Sequence, residues 1–375
     1  MKSTAALAAK KVALIHYWLV GMRGGEKVLE SLCELFPNAD IFTHVVDPTA
    51  ISPQLRRHRI IETRIGRLPF ARRHYQKYLP LMPRALEQLD LSGYDLILSS
   101  EAGPAKGVIA PPDVPHLCYC HSPMRYIWDQ YHVYYKNSGA VTRAFMPGIA
   151  HKMRLWDVSS AARVDKFIAN SNLVSARVRK YWRRNSEVVP PPVAIEKFDP
   201  VKSHEIEDYY LWVGNLTAYK RPDLAIEAFK RLDRPLVVIG GPERDAKKLA
   251  RHSGPNTQFL GQVPFHKVKY YLERCRALIF PGEEDFGIVP VEAMAAGRPV
   301  IAYGRGGVTD SVVHGQTGWF FDHQSVEGLV DAVMQFEKSD LCFSAKQDCL
   351  TRAQRFSGEA FQTKILQSIQ PLMRG

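Results

Sequence analysis

Several patterns are missing from this 375-residue sequence, and each absence excludes a class of protein. The six cysteines form no Cys-x-x-Cys pair and no metal-ligand spacing, so they predict reduced thiols in a cytosolic protein. No apolar run approaches the ~20 residues that a membrane helix requires. The short Ala-rich start is interrupted by Lys10 and Lys11, which argues against a signal peptide and predicts a cytoplasmic location.

Two ligand-binding signatures are also missing. No Gly-x-Gly-x-x-Gly follows the first predicted strand, which argues against a nicotinamide oxidoreductase. No Asp-x-Asp occurs, which argues against a metal ion held by paired carboxylates. We therefore expect no metal and no cofactor.

What the sequence has in excess is positive charge, with a formal net charge of +12 and a pI near 9.4. Such a chain suits an anionic partner: nucleic acid, an anionic membrane surface or a phosphorylated small molecule. The stretch from Arg56 to Arg84, the basic segment, interleaves Arg and Lys with aromatic residues against the single acid Glu62. It fits either a solvated basic helix face or a surface for lipid phosphates. No RNA-recognition or helix-turn-helix motif accompanies it, so nucleic acid is not expected.

Short apolar runs alternate with helical patterns along the whole chain, which predicts parallel βαβ units. The run Val-Val-Pro-Pro-Pro-Val at 188–193 fits neither a helix nor a central strand, so we interpret it as a linker. The prediction is two doubly wound α/β domains, 1–192 and 193–354, facing a central cleft, with a C-terminal helix in 355–375 packing back on the first. The predicted strands lie at 12–19, 39–46, 94–99, 116–120, 166–169, 210–214, 235–240, 257–260, 277–280, 299–302 and 319–321.

The most informative stretch begins at Pro281 and ends at Gly297. A buried strand enters a loop with three acids and a glycine, and a helix then begins near Pro290, a residue that a first turn tolerates. Backbone N–H groups at such a helix start can hold a phosphate, while nearby carboxylates accept hydrogen bonds from sugar hydroxyls. The alternative is that the acids only favour the helix start electrostatically.

Three further places carry candidate ligand groups at the ends of predicted strands. Lys220 and Arg221 offer cations to a diphosphate, although a solvated turn would also account for them. The turn at Gly24 and Gly25 lets a backbone approach a bulky anion closely. His121 directly follows a predicted strand and could hydrogen-bond a substrate or be merely structural.

Together these segments resemble glycosyltransferase family 4, the retaining GT-B sugar transferases. The family's Glu-x7-Glu motif is matched from Glu284 to Glu292, and the flanking Gly-Arg-Gly-Gly at 304–307 is also typical. The segments YCHSPMRYIWD, VDKFIANSNLV and VVPPPV resemble the mannosyltransferase-like branch. The similarity runs from about Lys11 to Trp319. It implies the GT-B fold, two Rossmann-like domains with a cleft between them.

The resemblance implies a role for each matching residue. Glu284 and His121 would contact the donor sugar, and Lys220 would neutralise the diphosphate leaving group. The donor-binding set would comprise Gly25, Arg221, Asp285, Phe286, Gly287, Ile288 and Glu292, with Glu292 on the nucleotide ribose and the amides of 286–288 on the phosphates. Where the family often has Gly-Arg-Leu, this chain has Asn215 in place of the arginine, and the sequence leaves open whether Arg221 substitutes.

The expected reaction is front-face transfer of a hexose with retention, in which the departing phosphate helps to deprotonate the acceptor hydroxyl. The branch favours GDP-mannose as donor, with UDP-sugars as the alternative. The expected acceptor is a lipid-linked or other saccharide in bacterial cell-surface polysaccharide synthesis, at the inner face of the membrane, which the basic segment would contact. A sugar-binding protein without chemistry and a catalytically weak family member stay open as alternatives.

Overall fold

The computed structural model describes residues 10–373, which form two compact units. Of the described residues, unit 1 comprises 10–192 and 361–373, and unit 2 comprises 193–360. Each unit is built around one parallel β-sheet, as expected from the alternation of strand and helix patterns.

Unit 1 contains a seven-stranded parallel sheet with the order β3-β2-β1-β4-β5-β6-β7. Its strands are β1 Val12–His16, β2 Asp40–Thr43, β3 Ile60–Glu62, β4 Leu96–Glu101, β5 His116–Cys120, β6 Lys166–Ala169 and β7 Ser186–Val188. Its helices are α1 Gly24–Leu35, α2 Pro53–Arg56, α3 Ala71–His74, α4 Met82–Glu87, α5 Tyr131–Asn137, α6 Ala140–Ala161 and α7 Asn172–Trp182. The strand order reverses between β1 and β4, which is where ligands bind in sheets of this type.

Unit 2 contains a six-stranded parallel sheet with the order β10-β9-β8-β11-β12-β13. Its strands are β8 Tyr210–Val213, β9 Leu236–Ile239, β10 Thr257–Gly261, β11 Leu278–Phe280, β12 Val300–Tyr303 and β13 Gly318–Phe321. The helices are α8 Pro222–Leu232, α9 Glu243–Ala250, α10 Phe265–Arg274, α11 Ile288–Ala295, α12 Val308–Ser311, α13 Val326–Lys338, α14 Leu341–Ser344 and α15 Lys346–Gln354. The last helix, α16 Gly358–Ile369, begins in unit 2 and continues into unit 1. The order reverses between β8 and β11, so the loops after these two strands are neighbours.

Strands that are apolar on both faces form the core of each unit, because helices cover both sides of a parallel sheet of this kind. All five residues of β1 and all four of β9 are buried. On unit 1, the apolar face of α16 closes the core, with Phe361, Ile365 and Ile369 buried against the sheet. The apolar face of α16 therefore packs residues 361–373 onto unit 1.

A buried polar network supports the carboxyl end of β4. Glu101 accepts hydrogen bonds from the backbone N–H groups of Ala105 and Lys106, both at 2.7 Å. The fully buried Lys106 ammonium forms ion pairs with Glu101 and Asp157. Buried charges of this kind are tolerated only when they are paired and hydrogen-bonded, so this network fixes the loop that follows β4.

The structure corrects the sequence prediction at the sheet edges and in the basic segment. Strands β3 and β7 were not expected, and the basic segment contains a strand and several short helical turns instead of a single helix face. All six cysteines are buried and free. Within residues 10–373, no helix is both long and apolar enough to cross a bilayer.

Candidate active site

The residues predicted to bind a donor in unit 2 lie on loops that follow three adjacent strands. Lys220 follows β8, Glu284 follows β11, and the Gly-Arg-Gly-Gly turn at 304–307 follows β12. Because these parallel strands are neighbours in the sheet, their carboxyl ends place the three loops together.

Glycines allow these loops to touch through their backbones. A Cβ atom at Gly282 would lie 2.7 Å from the Cα atom of Lys220, so the loop after β11 packs directly on the turn after β8. A Cβ atom at Gly307 would lie 2.3 Å from the carbonyl oxygen of Asp285. The Gly307 N–H also donates a hydrogen bond to the Glu284 carbonyl oxygen at 2.9 Å. These contacts fix the backbone of the acidic loop.

The two residues predicted to be catalytic in unit 2 form an ion pair with each other. The Lys220 Nζ atom donates a hydrogen bond to the Glu284 Oε1 atom at 2.6 Å, and the two side chains are 14% and 18% exposed. Partial burial of this kind strengthens the attraction relative to a surface pair. The cation suited to a phosphate and the carboxylate suited to sugar hydroxyls are thus mutually neutralised in this structure.

Arg221 has a different local partner. Its backbone lies in the left-handed region, at φ 53°, and its guanidinium donates three hydrogen bonds to the carboxylate of Asp223, at 3.0 to 3.1 Å. Asn215, at the position where the family often has arginine, is exposed. The Arg221 guanidinium is therefore engaged at the start of α8, and its predicted contact with a diphosphate stays a prediction.

The start of helix α11 has the backbone geometry of an anion site. Gly287 precedes the helix with φ 86°, a conformation that glycine adopts without strain. The Phe286 side chain is buried in the core against Phe356, so only its backbone is available to a ligand. Ile288 begins the helix, and Asp285 lies in the loop ahead of it. The first N–H groups of a helix have no partner within the helix, and their positive end favours a phosphate.

Glu292 lies one turn into α11 and is strongly affected by burial. Desolvation raises the pKa of its carboxyl group to about 7, against the opposing attraction of Lys197 and Lys220. Lys197, which belongs to the short turn Ile195–Lys197, was not identified by sequence analysis because no motif marks it. A carboxylate held in this way gains from any ligand that donates hydrogen bonds to it, such as a sugar diol.

In unit 1, Gly25 lies in the first turn of α1, which follows β1, and His121 directly follows β5. A Cβ atom at Gly25 would lie 2.3 Å from the Tyr17 hydroxyl oxygen, so a larger residue at this start of α1 would require the Tyr17 side chain to move. The His121 Nε2 atom is 2.8 Å from the Ser100 Oγ atom. Burial, together with the nearby His16, lowers the pKa of His121 to about 3. His121 is therefore neutral at pH 7 and suited to hydrogen bonding with a hydroxyl group.

His16 and Glu26 form a buried pair beside Gly25 that sequence analysis missed, because His16 is the last residue of an apolar strand. The His16 Nε2 atom is 3.7 Å from the Glu26 Oε1 atom, and neither His16 ring nitrogen has a hydrogen-bond partner among the described residues. Glu26 Oε2 accepts a hydrogen bond from the Arg23 N–H at 2.8 Å. Burial acts to raise the pKa of Glu26, but His16 and this N–H lower it below its usual value.

The described part of the chain, residues 10–373, contains no group of three or more His, Cys, Asp or Glu side chains arranged to hold a metal ion. The candidate groups are instead cations, backbone N–H groups and carboxylates, which are the groups that bind phosphates and sugar hydroxyls.

Two Rossmann-like units with these loops define a GT-B glycosyltransferase fold, and comparison with solved structures agrees. Sucrose-phosphate synthase from Thermosynechococcus elongatus superposes with a TM-score of 0.72 at 19% identity, covering 97% of this chain and 99% of that chain. HepE of Anabaena in complex with UDP-glucose superposes with a TM-score of 0.70 at 16% identity, covering 96% and 100%. At these identities the likeness establishes the fold alone.

Family models match both units. Residues 22–197 match glycosyltransferase family 4, and residues 194–356 match glycosyl transferases group 1. The chain therefore belongs to glycosyltransferase family 4, as the Glu-x7-Glu motif and its neighbours predicted.

Curated relatives match only part of the chain. D-inositol 3-phosphate glycosyltransferase of Kribbella flavida is 32% identical over 175 residues, which is 39% of this chain and 41% of the relative. GDP-Man:Man(3)GlcNAc(2)-PP-Dol alpha-1,2-mannosyltransferase of Xenopus laevis is 27% identical over 240 residues, 56% of this chain and 49% of the relative. The matched region thus spans less than half of each of these two relatives.

Proposed function

We propose that the protein transfers a hexose from a nucleotide sugar to a saccharide acceptor, with retention of configuration and without a metal ion. The observation that carries this proposal is the pairing of Lys220 with Glu284 beside the start of α11, on loops held together by Gly282 and Gly307. One place then offers a cation and backbone N–H groups to a diphosphate, and a carboxylate to the hydroxyls of the attached sugar.

The ion pair suggests how the donor would be recognised. A diphosphate has more negative charge than a single carboxylate, so it would displace Glu284 from the Lys220 ammonium. The released Glu284 carboxylate would then accept hydrogen bonds from hexose hydroxyls, which a nucleotide without sugar does not provide. As the sugar–phosphate bond breaks, the negative charge that develops on the diphosphate would be stabilised by Lys220 and the N–H groups of α11. The departing phosphate oxygen would take the proton of the acceptor hydroxyl.

The roles of Glu292 and His121 follow in the same proposal. The Glu292 carboxylate would accept hydrogen bonds from the nucleotide ribose, and a neutral His121 would hydrogen-bond the donor sugar. Gly25 would allow its backbone to approach the diphosphate. Among the groups assigned to the donor, Arg221 has the weakest support, since it is already paired with Asp223.

For the donor we propose GDP-mannose, with a UDP-sugar as the alternative. GDP-mannose is supported by the mannosyltransferase-like segments and by the name of the Xenopus laevis relative, which includes GDP-Man. A UDP-sugar is supported by the UDP-glucose in the HepE complex. We further propose that the acceptor is a lipid-linked sugar of bacterial surface polysaccharide synthesis at the inner face of the membrane. The support for a membrane is that every Arg and Lys of the basic segment is exposed.

Thermal unfolding with a panel of nucleotides and nucleotide sugars tests the donor proposal. We expect one base to raise the midpoint more than the others, because a ligand at 100 times its Kd adds about 2.7 kcal/mol to stability. GDP and GDP-mannose are expected to exceed UDP and UDP-glucose. No shift with any nucleotide, together with a shift by free sugars, would instead identify a sugar-binding protein without transfer.

A catalytically weak member of the family is the second candidate, because Asn215 replaces the usual arginine and the Arg221 guanidinium is paired with Asp223. Such a protein would bind the nucleotide sugar but transfer the sugar only slowly. The Asn215→Arg variant separates the two possibilities. In a weak member, the added cation should raise turnover by about tenfold or more, whereas an active enzyme that does not need it should change little.

A further inference from the structure

Exposed apolar side chains are concentrated on one part of unit 1. Among the described residues, the most exposed large apolar side chains are Phe70 at 77%, Val141 at 75% and Phe145 at 67%. Two of them lie in the first turns of α6. Large exposed apolar side chains that lie close together indicate an interaction site.

The start of α6 is unusual because none of its residues before Ala150 is buried. We call residues 139–148, with the sequence GAVTRAFMPG, the helical tip; every one of them is exposed except the half-buried Met146. Burial of α6 begins only at Ala150 and Met153. A helix on a protein surface normally buries one apolar stripe, whereas the tip presents Val141 and Phe145 to solvent on the same face, four residues apart.

The charge around the tip identifies the kind of partner. Residues 130–156 contain no Asp or Glu, and neither do residues 63–84 of the basic segment. The two acid-free stretches meet in one packed cluster, where Leu79 joins Tyr131, Ile149 and Met153. Together they contribute the basic side chains of Arg64, Arg67, Arg72, Arg73, Lys77, Arg84, Lys136, Arg143, Lys152 and Arg154.

Aromatic groups complete this pattern. Tyr131, Tyr134 and Tyr135 lie on α5, directly before the tip, and Tyr134 is exposed. Tyrosine rings prefer the boundary between lipid headgroups and acyl chains, where basic side chains meet lipid phosphates. An exposed apolar helix end among tyrosines and cations, without acids, is complementary to an anionic lipid surface.

We propose that the helical tip inserts into an anionic lipid bilayer, with Val141 and Phe145 entering the acyl boundary and the basic segment contacting lipid phosphates. This proposal rests on the membrane contact of the proposed function and says how that contact is made. Insertion itself needs no nucleotide, donor or acceptor. Its failure is therefore distinguishable from a failure of the proposed sugar transfer.

Co-sedimentation of the full chain with vesicles tests this proposal. The probes are phosphatidylcholine vesicles with and without phosphatidylglycerol, at low and high salt. We expect binding to the anionic vesicles, with a part that resists high salt because it comes from apolar insertion, whereas exposed charges are screened. The double variant Val141→Asp/Phe145→Asp should reduce binding at least tenfold and remove the salt-resistant part. Arg72→Gln/Arg73→Gln should reduce only the salt-sensitive part.

Two controls make the result specific. Phe343→Asp changes an apolar residue of unit 2 that is 51% exposed and should bind vesicles like the wild type. Phe145→Trp keeps the tip apolar, and its fluorescence should shift to the blue with anionic vesicles, which reports insertion even where the Asp variant is unstable. Binding of the double Asp variant equal to wild type, or no blue shift, would overturn the proposal. A dimer in solution that Phe145→Asp dissociates would also overturn it, because the tip would then contact a second copy.

Discussion

Replacing Lys220 by alanine is expected to lower the rate of sugar transfer at least about 100-fold, which corresponds to about 2.7 kcal/mol of transition-state stabilisation. The reason is that Lys220 lies beside the start of α11, where we propose that the diphosphate binds, whereas the Arg221 guanidinium is paired with Asp223. Binding of a free nucleoside diphosphate should weaken in the same variant. Transfer is measured with labelled donor, and binding is measured by calorimetry.

The variant Glu284→Gln, at the other residue of the ion pair, separates binding of the diphosphate from binding of the donor sugar. It should also lower transfer at least about 100-fold, since the carboxylate no longer grips the donor sugar. Binding of the nucleoside diphosphate alone should instead strengthen, by about fivefold or more, because the competing carboxylate is removed from Lys220 and even exposed pairs contribute up to about 1 kcal/mol. Opposite changes in diphosphate affinity for two variants with the same loss of transfer would distinguish ligand exchange from simple misfolding.

Lys248→Ala is the matched control, because it removes an exposed lysine of α9 in the same unit. It should leave both transfer and binding unchanged. Near-normal transfer by either Lys220→Ala or Glu284→Gln would contradict the assigned roles. A weaker diphosphate affinity in Glu284→Gln would show that the ion pair positions Lys220 and does not compete with the ligand.

The sequence was most informative where burial is strongest. The predicted strands 116–120 and 166–169 coincide with β5 and β6, because a strand buried on both faces is a continuous apolar run. The edge strands β3 (Ile-Ile-Glu) and β7 (Ser-Glu-Val) have only three residues each, and no residue of either is fully buried. Their pairing comes from the neighbouring strand in the sheet, which local sequence does not reveal.

In the candidate site, too, motifs predicted individual residues but not the contacts between residues that are far apart in the sequence. The sequence patterns predicted Lys220 and Glu284 as site residues, but did not predict their direct contact. This contact joins positions 64 residues apart, next to the close backbone approach at Gly282. Arg221 was expected to face a phosphate. Its left-handed backbone and the nearby Asp223 give its guanidinium a different partner, and neither effect follows from residue type. His16 and Lys197 carry no motif and are identified only from their neighbours.

Glu292→Gln is expected to stabilise the free protein and to weaken nucleotide binding at the same time. The pKa of Glu292 is raised from an ordinary value near 4.5 to about 7, so the folded state holds its proton more tightly than the unfolded state. Stability from this group is fully present below pH 4.5 and is lost as the pH rises through about 7. Glutamine resembles the neutral carboxyl group, so the gain over wild type should be near zero below pH 4.5 and reach up to about 3 kcal/mol at pH 8.

Denaturant unfolding at pH 4.5, 6 and 8 without ligand measures the stability part of this prediction, and nucleotide titration at pH 8 measures the binding part. Loss of a charge-assisted hydrogen bond to the ribose should weaken binding about 10- to 100-fold. Asp331→Asn, which removes an exposed charge from α13, should change neither quantity. If the variant is less stable than wild type at pH 8, interactions within the free protein already offset the cost of burying the charged Glu292 carboxylate. A gain in stability with unchanged nucleotide affinity would show that the buried Glu292 carboxylate does not bind the nucleotide. Both effects together would mean that the free protein retains an unfavourable buried charge because the ligand needs it, the trade between stability and activity expected of a binding site.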